Sequence, residues 1–398
     1  MNHNDIEQSP ILISLIPNLM GGEGHIIPYH ISVSKAAKIL GWQHLVILPP
    51  DSKVSNLPTN WYACLSSENL EAKIHPFIRI LKFIDILKLS LSIAKKLRQY
   101  VLINSRPSII FLERFIHVQL LALLIAIYLV PTPTNNLSVW LLYRRDIHKD
   151  KTAWIYKNLN QAIKLKLKPG KFKILTDSDI LANSISNYFQ DSVSVMPIPH
   201  TEFIDIEDTR KQDDEIVCWW AGTPRLEKGW EIVKSLVNCT TDEANKICVV
   251  AAQSSQLIST TGSVRIRLVA DNLSNLDYLT WLKKSDIILL PYDANAYKER
   301  TSGIFAECIM AGKIPVVTAG TWMAKELSKY NVQEVIIDDW SQTQIITQKI
   351  IKFANSLELK AKIKEIQKNY RKFHTVESYA VEIKKLFDTS DHAKKLSP

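Results

Sequence analysis

The fold is decided by the stretch Glu299-Arg-Thr-Ser-Gly-Ile-Phe-Ala-Glu-Cys-Ile-Met-Ala-Gly-Lys-Ile-Pro-Val-Val317. Two short apolar runs flank its centre: Ser285-Asp-Ile-Ile-Leu-Leu-Pro291 before the stretch, and Ile314–Thr318 at its end and just beyond. Such runs are typical of buried parallel strands. Between them, residues from Ile304 to Ala311 have helical spacing, and Gly312 stands where a helix would end. The stretch therefore predicts a strand, a loop, a helix and a second strand.

The start of this predicted helix has the features of an anion site. Ser302 and Gly303 stand there, and the first N–H groups of a helix lack partners while its dipole is positive at that end. Two carboxylates, Glu299 and Glu307, lie close by in sequence, although acids repel a simple anion. They fit a ligand with both phosphates and hydroxyls. The alternative is that Glu299 is a surface acid and that Glu307 only favours the first turns of the helix.

A chain of 398 residues exceeds one typical domain and predicts two. We place them at residues 1–200 and 201–375, joined by the polar segment 201–214. Residues 376–398 are predicted to form a C-terminal helix and tail. One interpretation is that this segment packs back on the first domain. The helical, lysine-rich region before that tail is predicted to begin at Ile345 and to run to Phe387.

The compartment follows from cysteine usage and from the N-terminus. Five cysteines, an odd number without metal-ligand spacing, indicate buried thiols in a reducing compartment. The polar, acidic start of the chain is unlike a signal peptide. The longest apolar run, from Val118 to Val130, is short of the roughly 20 residues of a membrane span, and it predicts a buried helix. We therefore expect a cytoplasmic protein.

Positive charge is concentrated in the first half of the chain. Residues 1–200 contain 22 Lys and Arg against 13 Asp and Glu, whereas residues 201–398 contain 27 of each. Such a surplus favours an anionic partner, either nucleic acid or a lipid surface. The basic amphipathic helix predicted from Pro76 to Arg98 fits a membrane surface or, alternatively, a core with a solvated lysine face. The lysines from Lys157 to Lys173 do not alternate with aromatic side chains on which bases could stack, so they do not support nucleic-acid binding. We interpret them as a solvated face.

The first domain opens as a doubly wound sheet. A strand over Ile11–Ile16 is followed by a glycine loop, a helix to about Leu40 and a strand over His44–Leu48. In the loop, Gly22 lets the backbone approach a phosphate or a sugar closely, or serves only a tight turn. The spacing of a dinucleotide-binding fingerprint is absent.

Charged residues follow two further predicted strands of this domain. Glu113 follows the strand over Ser108–Leu112, and Arg144, Arg145 and Asp146 follow the strand over Leu137–Leu142. Ligands of open α/β sheets bind beyond the carboxyl ends of the strands, so these side chains are expected at a binding cleft. A structural salt bridge at the sheet rim is the alternative.

A second motif opens the second domain. After the strand Glu215–Trp220, Arg225 and Lys228 stand three residues apart in a loop that leads into a helix from Glu231 to Val237. A guanidinium and an ammonium can together neutralise a departing nucleoside diphosphate. The alternative is a pair of exposed cations beside a helix start, where positive charge is mildly unfavourable.

These motifs together resemble family 4 of the retaining glycosyltransferases. The resemblance rests on Gly222-x-x-Arg225-x-x-Lys228-Gly229, on Glu299-x7-Glu307, on Ala311-Gly312-x-x-Pro315, and on the opening Pro17-x-x-x-Gly21-Gly22-Glu23. It covers nearly the whole chain and is strongest from Trp219 to Thr318. It implies an α/β fold of the GT-B type, with two Rossmann-like domains that face each other across a cleft.

The resemblance also implies roles for individual residues. Arg225 and Lys228 would bind the donor's phosphates, Glu307 the nucleotide ribose and Glu299 the donor sugar, with Arg225, Lys228 and Glu299 carrying catalysis. The donor-binding set is Gly22, Arg225, Lys228, Glu299, Thr301, Ser302, Gly303, Ile304 and Glu307. The resemblance further implies no metal and no cofactor other than the nucleotide-sugar substrate. Asp177-Ser-Asp179 is accordingly interpreted as a helix cap.

The expected function is transfer of a hexosyl group from a nucleotide-diphosphate donor to an acceptor hydroxyl with retention of configuration. The basic first domain favours a glycan or lipid-linked acceptor, as in polysaccharide biosynthesis, and peripheral binding at the inner face of a membrane. Many family members carry a histidine after a first-domain strand, and this sequence has Arg145, Asp146 or Glu113 in its place. A degenerate protein that binds a nucleotide sugar or a glycan without turnover is therefore the alternative.

Overall fold

The structure, a computed structural model, describes residues 9–17, 19, 26–50, 57–66, 70, 79–102, 106–130, 136–201, 215–241 and 243–392. The chain divides into two compact units. Unit 1 comprises Met1–His200 together with Val376–Pro398, and unit 2 comprises Thr201–Thr375. Within the described residues, no helix is both long enough and apolar enough to span a bilayer.

Each unit contains one sheet in which all strand pairs are parallel. The strands are β1 (Ile11–Leu15), β2 (Gln43–Leu48), β3 (Trp61–Ala63), β4 (Ser108–Glu113), β5 (Leu137–Leu142), β6 (Phe172–Thr176), β7 (Val193–Val195), β8 (Ile216–Trp220), β9 (Ile247–Ala252), β10 (Arg265–Val269), β11 (Ile287–Leu290), β12 (Ile314–Thr318) and β13 (Ile336–Ile337). The first sheet has the order β3-β2-β1-β4-β5-β6-β7, and the second β10-β9-β8-β11-β12-β13. The predicted α/β fold with two Rossmann-like sheets is confirmed.

Helices connect the strands, as parallel pairing requires. They are α1 (Ile26–Ile39), α2 (Arg79–Leu97), α3 (His117–Leu129), α4 (Ala153–Lys166), α5 (Asp179–Phe189), α6 (Trp230–Val237), α7 (Asn275–Lys284), α8 (Gly303–Met310), α9 (Trp322–Ser328), α10 (Thr343–Asn355), α11 (Leu357–Phe373) and α12 (Val376–His392). A π-helical turn over Arg98–Leu102 follows α2.

The helices of unit 1 cover the two faces of its sheet. Apolar side chains of α2, α3, α4 and α5 pack in one core with residues of β1, β2, β4, β5 and β6. Side chains of α1 and α12 form the second core, against the other face of β1, β4, β5 and β6. The alternation of side chains along each strand supplies both cores.

The last helix, α12, belongs to unit 1. The hydroxyls of Tyr29 and Tyr379 are 2.9 Å apart, and the ring of Trp42 lies 5.1 Å from that of Phe387. Lys171 is buried, with Nζ 5.7 Å from the centre of the Phe387 ring. The interpretation of the whole lysine cluster as a solvated face was therefore wrong at Lys171.

The predicted helical region from Ile345 to Phe387 is divided among three helices, α10, α11 and α12. The first break falls at Ser356, whose hydroxyl caps α11 by accepting the N–H of Leu359 at 3.1 Å. The second falls between Phe373 and Val376, at the boundary of the two units. Lysine-rich helical periodicity continues across the first break, which is why the sequence pattern did not reveal it.

Candidate functional site

The two motifs of unit 2 leave the sheet at neighbouring points. β8 pairs with β9 on one side and with β11 on the other, so the order of the strands reverses between β8 and β11. The loop with Arg225 follows β8, and the loop with Glu299 follows β11. Open α/β sheets bind their ligands at such a point, beyond the carboxyl ends of the strands.

These two loops are fastened to each other. The N–H of Asp293 donates to the carbonyl of Glu227 at 2.9 Å. Gly229 has φ +79°, and a Cβ there would lie 2.1 Å from the carbonyl oxygen of Pro291. Only glycine fits this close approach. The position of Lys228, next to Gly229, is therefore fixed relative to the strand β11.

Lys228 lies against residues of both motifs. A Cβ on Gly222 would meet Nζ of Lys228 at 3.1 Å and Cδ1 of Ile304 at 3.4 Å, and Nζ stands 5.8 Å from the centre of the Tyr292 ring. Burial lowers the pKa of Lys228, and the positive charge of Arg225 lowers it further, to about 8. Lys228 is only partly exposed, and an anionic ligand at Nζ would stabilise its charged form.

Arg300 brings a further cation to the site, and the sequence interpretation missed it. Its Cζ lies 4.9 Å from the centre of the Tyr297 ring, and that ring is 4.5 Å from the ring of Tyr292. The two tyrosine rings, whose planes are tilted by 49°, thus have Arg300 over one ring and Lys228 near the other. The signal was present in the sequence, since Arg300 follows Glu299 directly in the motif.

Arg225 occupies a more open position than Lys228. Its guanidinium NH1 stands 3.6 Å from Oε1 of Glu227, and the side chain is mostly exposed. An exposed ion pair of this length contributes little to stability. Arg225 can therefore leave this ion pair and bind a ligand with little loss of stability.

Glu307 is buried and held by a tyrosine. The residue is 6% exposed, and Oε2 accepts a hydrogen bond from the hydroxyl of Tyr278. Tyr278 lies on α7, with its ring 4.9 Å from that of Trp219 on β8. Burial and the negative charge of Glu307 raise the pKa of Tyr278 well above its ordinary value, so this hydroxyl stays a donor.

The start of α8 is capped from within. Oγ of Ser302 accepts the N–H of Phe305 at 3.2 Å, which satisfies one of the helix-start donors. Gly303 begins the helix, and Thr301 precedes the cap in a partly exposed position. Glu299, also in this loop, is only 8% exposed.

The structure thus brings Lys228, Ile304 and Glu307 into one neighbourhood, with Arg225 and Arg300 acting on Lys228 by charge. The roles predicted for Glu299, Thr301, Ser302 and Gly303 stay predictions. Gly22, the predicted contact from the first domain, lies outside the described residues.

The carboxyl edge of the first sheet holds a buried ion cluster. Oε1 of Glu113 lies 3.1 Å from NH1 of Arg144, and its Oε2 lies 2.8 Å from Nε2 of His30. Arg144 also stands 3.5 Å from Oδ2 of Asp177, and its Cζ lies 4.3 Å above the ring of Tyr29. The structure therefore shows the salt-bridge alternative for Glu113 and Arg144.

The basic side chains of this cluster stabilise the charged form of Glu113. Burial alone would raise the pKa of Glu113, but Arg144 and His30 hold it below its ordinary value. Asp177 belongs to the cluster through its ion pair with Arg144. The next residue, Ser178, is the helix cap, and its hydroxyl accepts the N–H of Leu181 at 3.2 Å. No group of three metal-binding side chains occurs within the residues that the structure describes.

Two other predicted residues of the first domain lie at the surface. Arg145 pairs with Asp150 at 3.6 Å, and Asp146 pairs with Lys149 at 3.4 Å. Neither belongs to the buried cluster. Burial therefore does not single out Arg145 or Asp146 as the residue that replaces the histidine of the family.

Comparison with solved structures decides the fold class. A glycosyltransferase from Rickettsia africae superposes with a TM-score of 0.64 at 13% identity, over 98% of this chain and 100% of the other. A UDP-forming α,α-trehalose-phosphate synthase from Burkholderia vietnamiensis gives 0.65 at 10% identity, over 98% and 100%. The chain has the GT-B fold.

A third structure, S. aureus MnaA with UDP, gives a TM-score of 0.57 at 12% identity, over 94% of both chains. No protein-family model and no curated protein matches the sequence. At such low identity the similarity establishes the GT-B fold alone, and the narrower assignment to family 4 stays a prediction.

Proposed function

We propose that this GT-B protein is a glycosyltransferase that uses a nucleotide-diphosphate sugar. The observation that carries the proposal is the position of Lys228 at the reversal of strand order, beside Gly222 and Ile304 and within the electrostatic reach of Glu307. A cation for phosphate and a carboxylate for hydroxyls thereby lie together, Lys228 in the loop that follows β8 and Glu307 on the helix α8 that follows β11. That combination suits a ligand with both groups.

In this proposal the leaving diphosphate is stabilised by the cations of unit 2. Lys228 supplies a compact charge and Arg225 a planar fork, and both act where negative charge develops as the glycosidic bond breaks. Glu307, oriented by Tyr278, accepts hydrogen bonds from the ribose hydroxyls, and Glu299 accepts them from the donor sugar. The backbone at Thr301, Ser302 and Gly303 approaches the same sugar.

The finer chemistry follows the predicted family. The acceptor hydroxyl attacks the face from which the diphosphate departs, and a leaving phosphate oxygen takes its proton, so the configuration is retained. Positioning and charge stabilisation then supply most of the rate enhancement without a metal. Two structural neighbours support the nucleotide part of the proposal, since one enzyme is UDP-forming and another protein was solved with UDP.

The proposed acceptor is a glycan or a lipid-linked precursor, as in polysaccharide biosynthesis on the inner face of a membrane. Its support is the surplus of positive charge in the first half of the chain, because such acceptors and their membranes are anionic. The proposed location is accordingly the cytoplasm, with peripheral membrane binding through unit 1.

Mass spectrometry of reactions with a panel of sugar nucleotides tests the proposal. Wild-type protein should hydrolyse or transfer one donor, and the Lys228→Gln and Glu299→Gln variants should lose at least 100-fold in rate while remaining folded. Lys234→Gln, which removes an exposed lysine near the same loop, is the matched control and should keep full activity. Undiminished turnover in both site variants would overturn the assignment.

The alternative is a nucleotide-sugar binding protein without turnover. One observation favours it: Glu113, a candidate for the first-domain catalytic group, is engaged by both Arg144 and His30. Tight binding of a donor together with the absence of hydrolysis or transfer over a broad acceptor panel would establish this alternative.

A further inference from the structure

Arg300 carries a charge that no ion pair among the described residues neutralises. Arg225, the other arginine of the site, pairs with Glu227, whereas the guanidinium of Arg300 lies over an aromatic ring, with Cζ 4.9 Å from the centre of the Tyr297 ring. A cation–π contact of this kind leaves N–H donors of the guanidinium for other partners. The side chain is partly exposed, so a ligand can reach it.

Arg300 lies at a different point of the site from Lys228. The rings of Tyr292 and Tyr297 are 4.5 Å apart, and Nζ of Lys228 stands 5.8 Å from the first ring while Arg300 lies over the second. The two cations are still within electrostatic reach of each other, because the charge of Arg300 adds to burial and to the charge of Arg225 in lowering the pKa of Lys228. One ligand can therefore contact Lys228 with one group and Arg300 with another.

The cations of the site outnumber the charges of a diphosphate. Each phosphate group of a sugar nucleotide carries one negative charge, and the proposed function assigns Arg225 and Lys228 to these groups. Arg300 adds a third cation directly beside Glu299, the proposed contact of the donor sugar. A neutral sugar offers only hydroxyls, for which carboxylates and backbone groups suffice as partners. A third cation at this position fits a sugar that has a negative charge of its own.

We propose that the donor sugar is a hexuronic acid and that Arg300 binds its carboxylate. A guanidinium can donate two parallel hydrogen bonds to a carboxylate, and the contact with Tyr297 restrains this side chain before the ligand arrives. Glu299, which is 8% exposed, would repel an acidic sugar, and the charge of Arg300 next to it offsets that repulsion. The inference rests on the proposed function, since it names the class of sugar that the same site takes.

Isothermal titration of the full chain with matched donors tests the inference. The pairs are UDP-glucuronic acid with UDP-glucose, UDP-galacturonic acid with UDP-galactose, and GDP-mannuronic acid with GDP-mannose, which differ only at C6 of the sugar. In at least one pair, the wild type should bind the hexuronic acid donor about tenfold more tightly than the neutral donor. Arg300→Gln should lose this preference by weakening only the acidic donor. Arg300→Lys should keep part of it, because lysine retains the charge but not the fork.

The matched control is Lys298→Gln, which removes an exposed positive charge from the same loop and should keep the preference of the wild type. Equal affinity of the wild type for both donors of every pair would overturn the inference. So would an equal loss of affinity for the free nucleotide and for the hexuronic acid donor in Arg300→Gln, because Arg300 would then bind the diphosphate.

Binding of UDP and GDP alone, measured in parallel, tests the proposed function separately. If a free nucleotide binds while no pair shows a preference, this inference fails and the proposed function stands. If no nucleotide and no donor binds, both fail.

Discussion

A Cβ on Gly222 would lie 3.1 Å from Nζ of Lys228, so the absence of a side chain at one residue sets the position of the ammonium at the other. Gly222 also has φ +87°, a conformation that side-chain-bearing residues rarely adopt. The backbone turn after β8 therefore determines where the ammonium of Lys228, the proposed phosphate ligand, can lie.

Substitution of Gly222 by alanine should therefore weaken nucleotide binding beyond its effect on stability. The backbone strain costs about 1–2 kcal/mol, and the new methyl group displaces Lys228. We expect the Kd for UDP to rise about tenfold, measured by isothermal titration calorimetry. Gly262→Ala is the matched control, because Gly262 has φ +69° but no atom within 4 Å of its Cβ position. Equal loss of affinity in both variants would show that strain alone is responsible.

Nucleotide affinity should fall as the pH rises through about 8. The pKa of Lys228 in the free protein is about 8, and a diphosphate binds the protonated ammonium. Above this pH, binding must be accompanied by proton uptake, so the Kd for UDP should rise by up to about tenfold per pH unit. Titrations from pH 7 to pH 9.5 measure the slope.

The control for this pH dependence is Lys228→Arg. A guanidinium stays protonated over the whole range, so this variant should bind UDP with an affinity that does not vary with pH. A wild-type affinity that is equally constant would contradict the role of Lys228.

The hydrogen bond from Tyr278 should matter for the donor through Glu307. Tyr278→Phe removes the donor that orients this buried carboxylate, at a cost of about 1 kcal/mol or roughly fivefold in donor KM. Tyr370→Phe, which removes a bond to Glu326 elsewhere in unit 2, should leave KM unchanged. An unchanged KM in Tyr278→Phe would remove Glu307 from the donor site.

The terminal helix α12 should be coupled to α1 through two tyrosines. Tyr29→Phe and Tyr379→Phe should each lower the free energy of unfolding of unit 1 by about 1–2 kcal/mol, because each leaves a buried hydroxyl without its partner. The double variant should cost less than the sum of the two. Urea denaturation measures all three, and additive effects would show that the two hydroxyls do not interact.

The sequence predicted the sheets well because buried parallel strands are continuous apolar runs. The run over Leu137–Leu142 is a strand with those bounds, and Ile314–Thr318 is another. The strands β3, β7 and β13 are two or three residues long, too short for any periodicity, and they were missed.

The site could be predicted only in part, since sequence motifs locate loops but not their contacts. Lys228 and Glu307 were found because they recur in a known pattern. Tyr278 stands 29 residues before Glu307 and reaches it only through the packing of α7. Likewise, nothing in the sequence links His30 to Glu113, which meet because α1 packs across β4.

The central claim is that Arg225, Lys228, Glu299 and Glu307 contact one sugar diphosphate. Isothermal titration of wild-type protein and single variants with UDP and GDP tests it most directly, because binding does not depend on the acceptor. We predict one site per chain for at least one of these nucleotides, an affinity at least tenfold weaker in Lys228→Gln and in Glu307→Gln, and an unchanged affinity in Lys234→Gln. Failure of both nucleotides to bind, or equal affinity in the wild type and Lys228→Gln, would contradict the account.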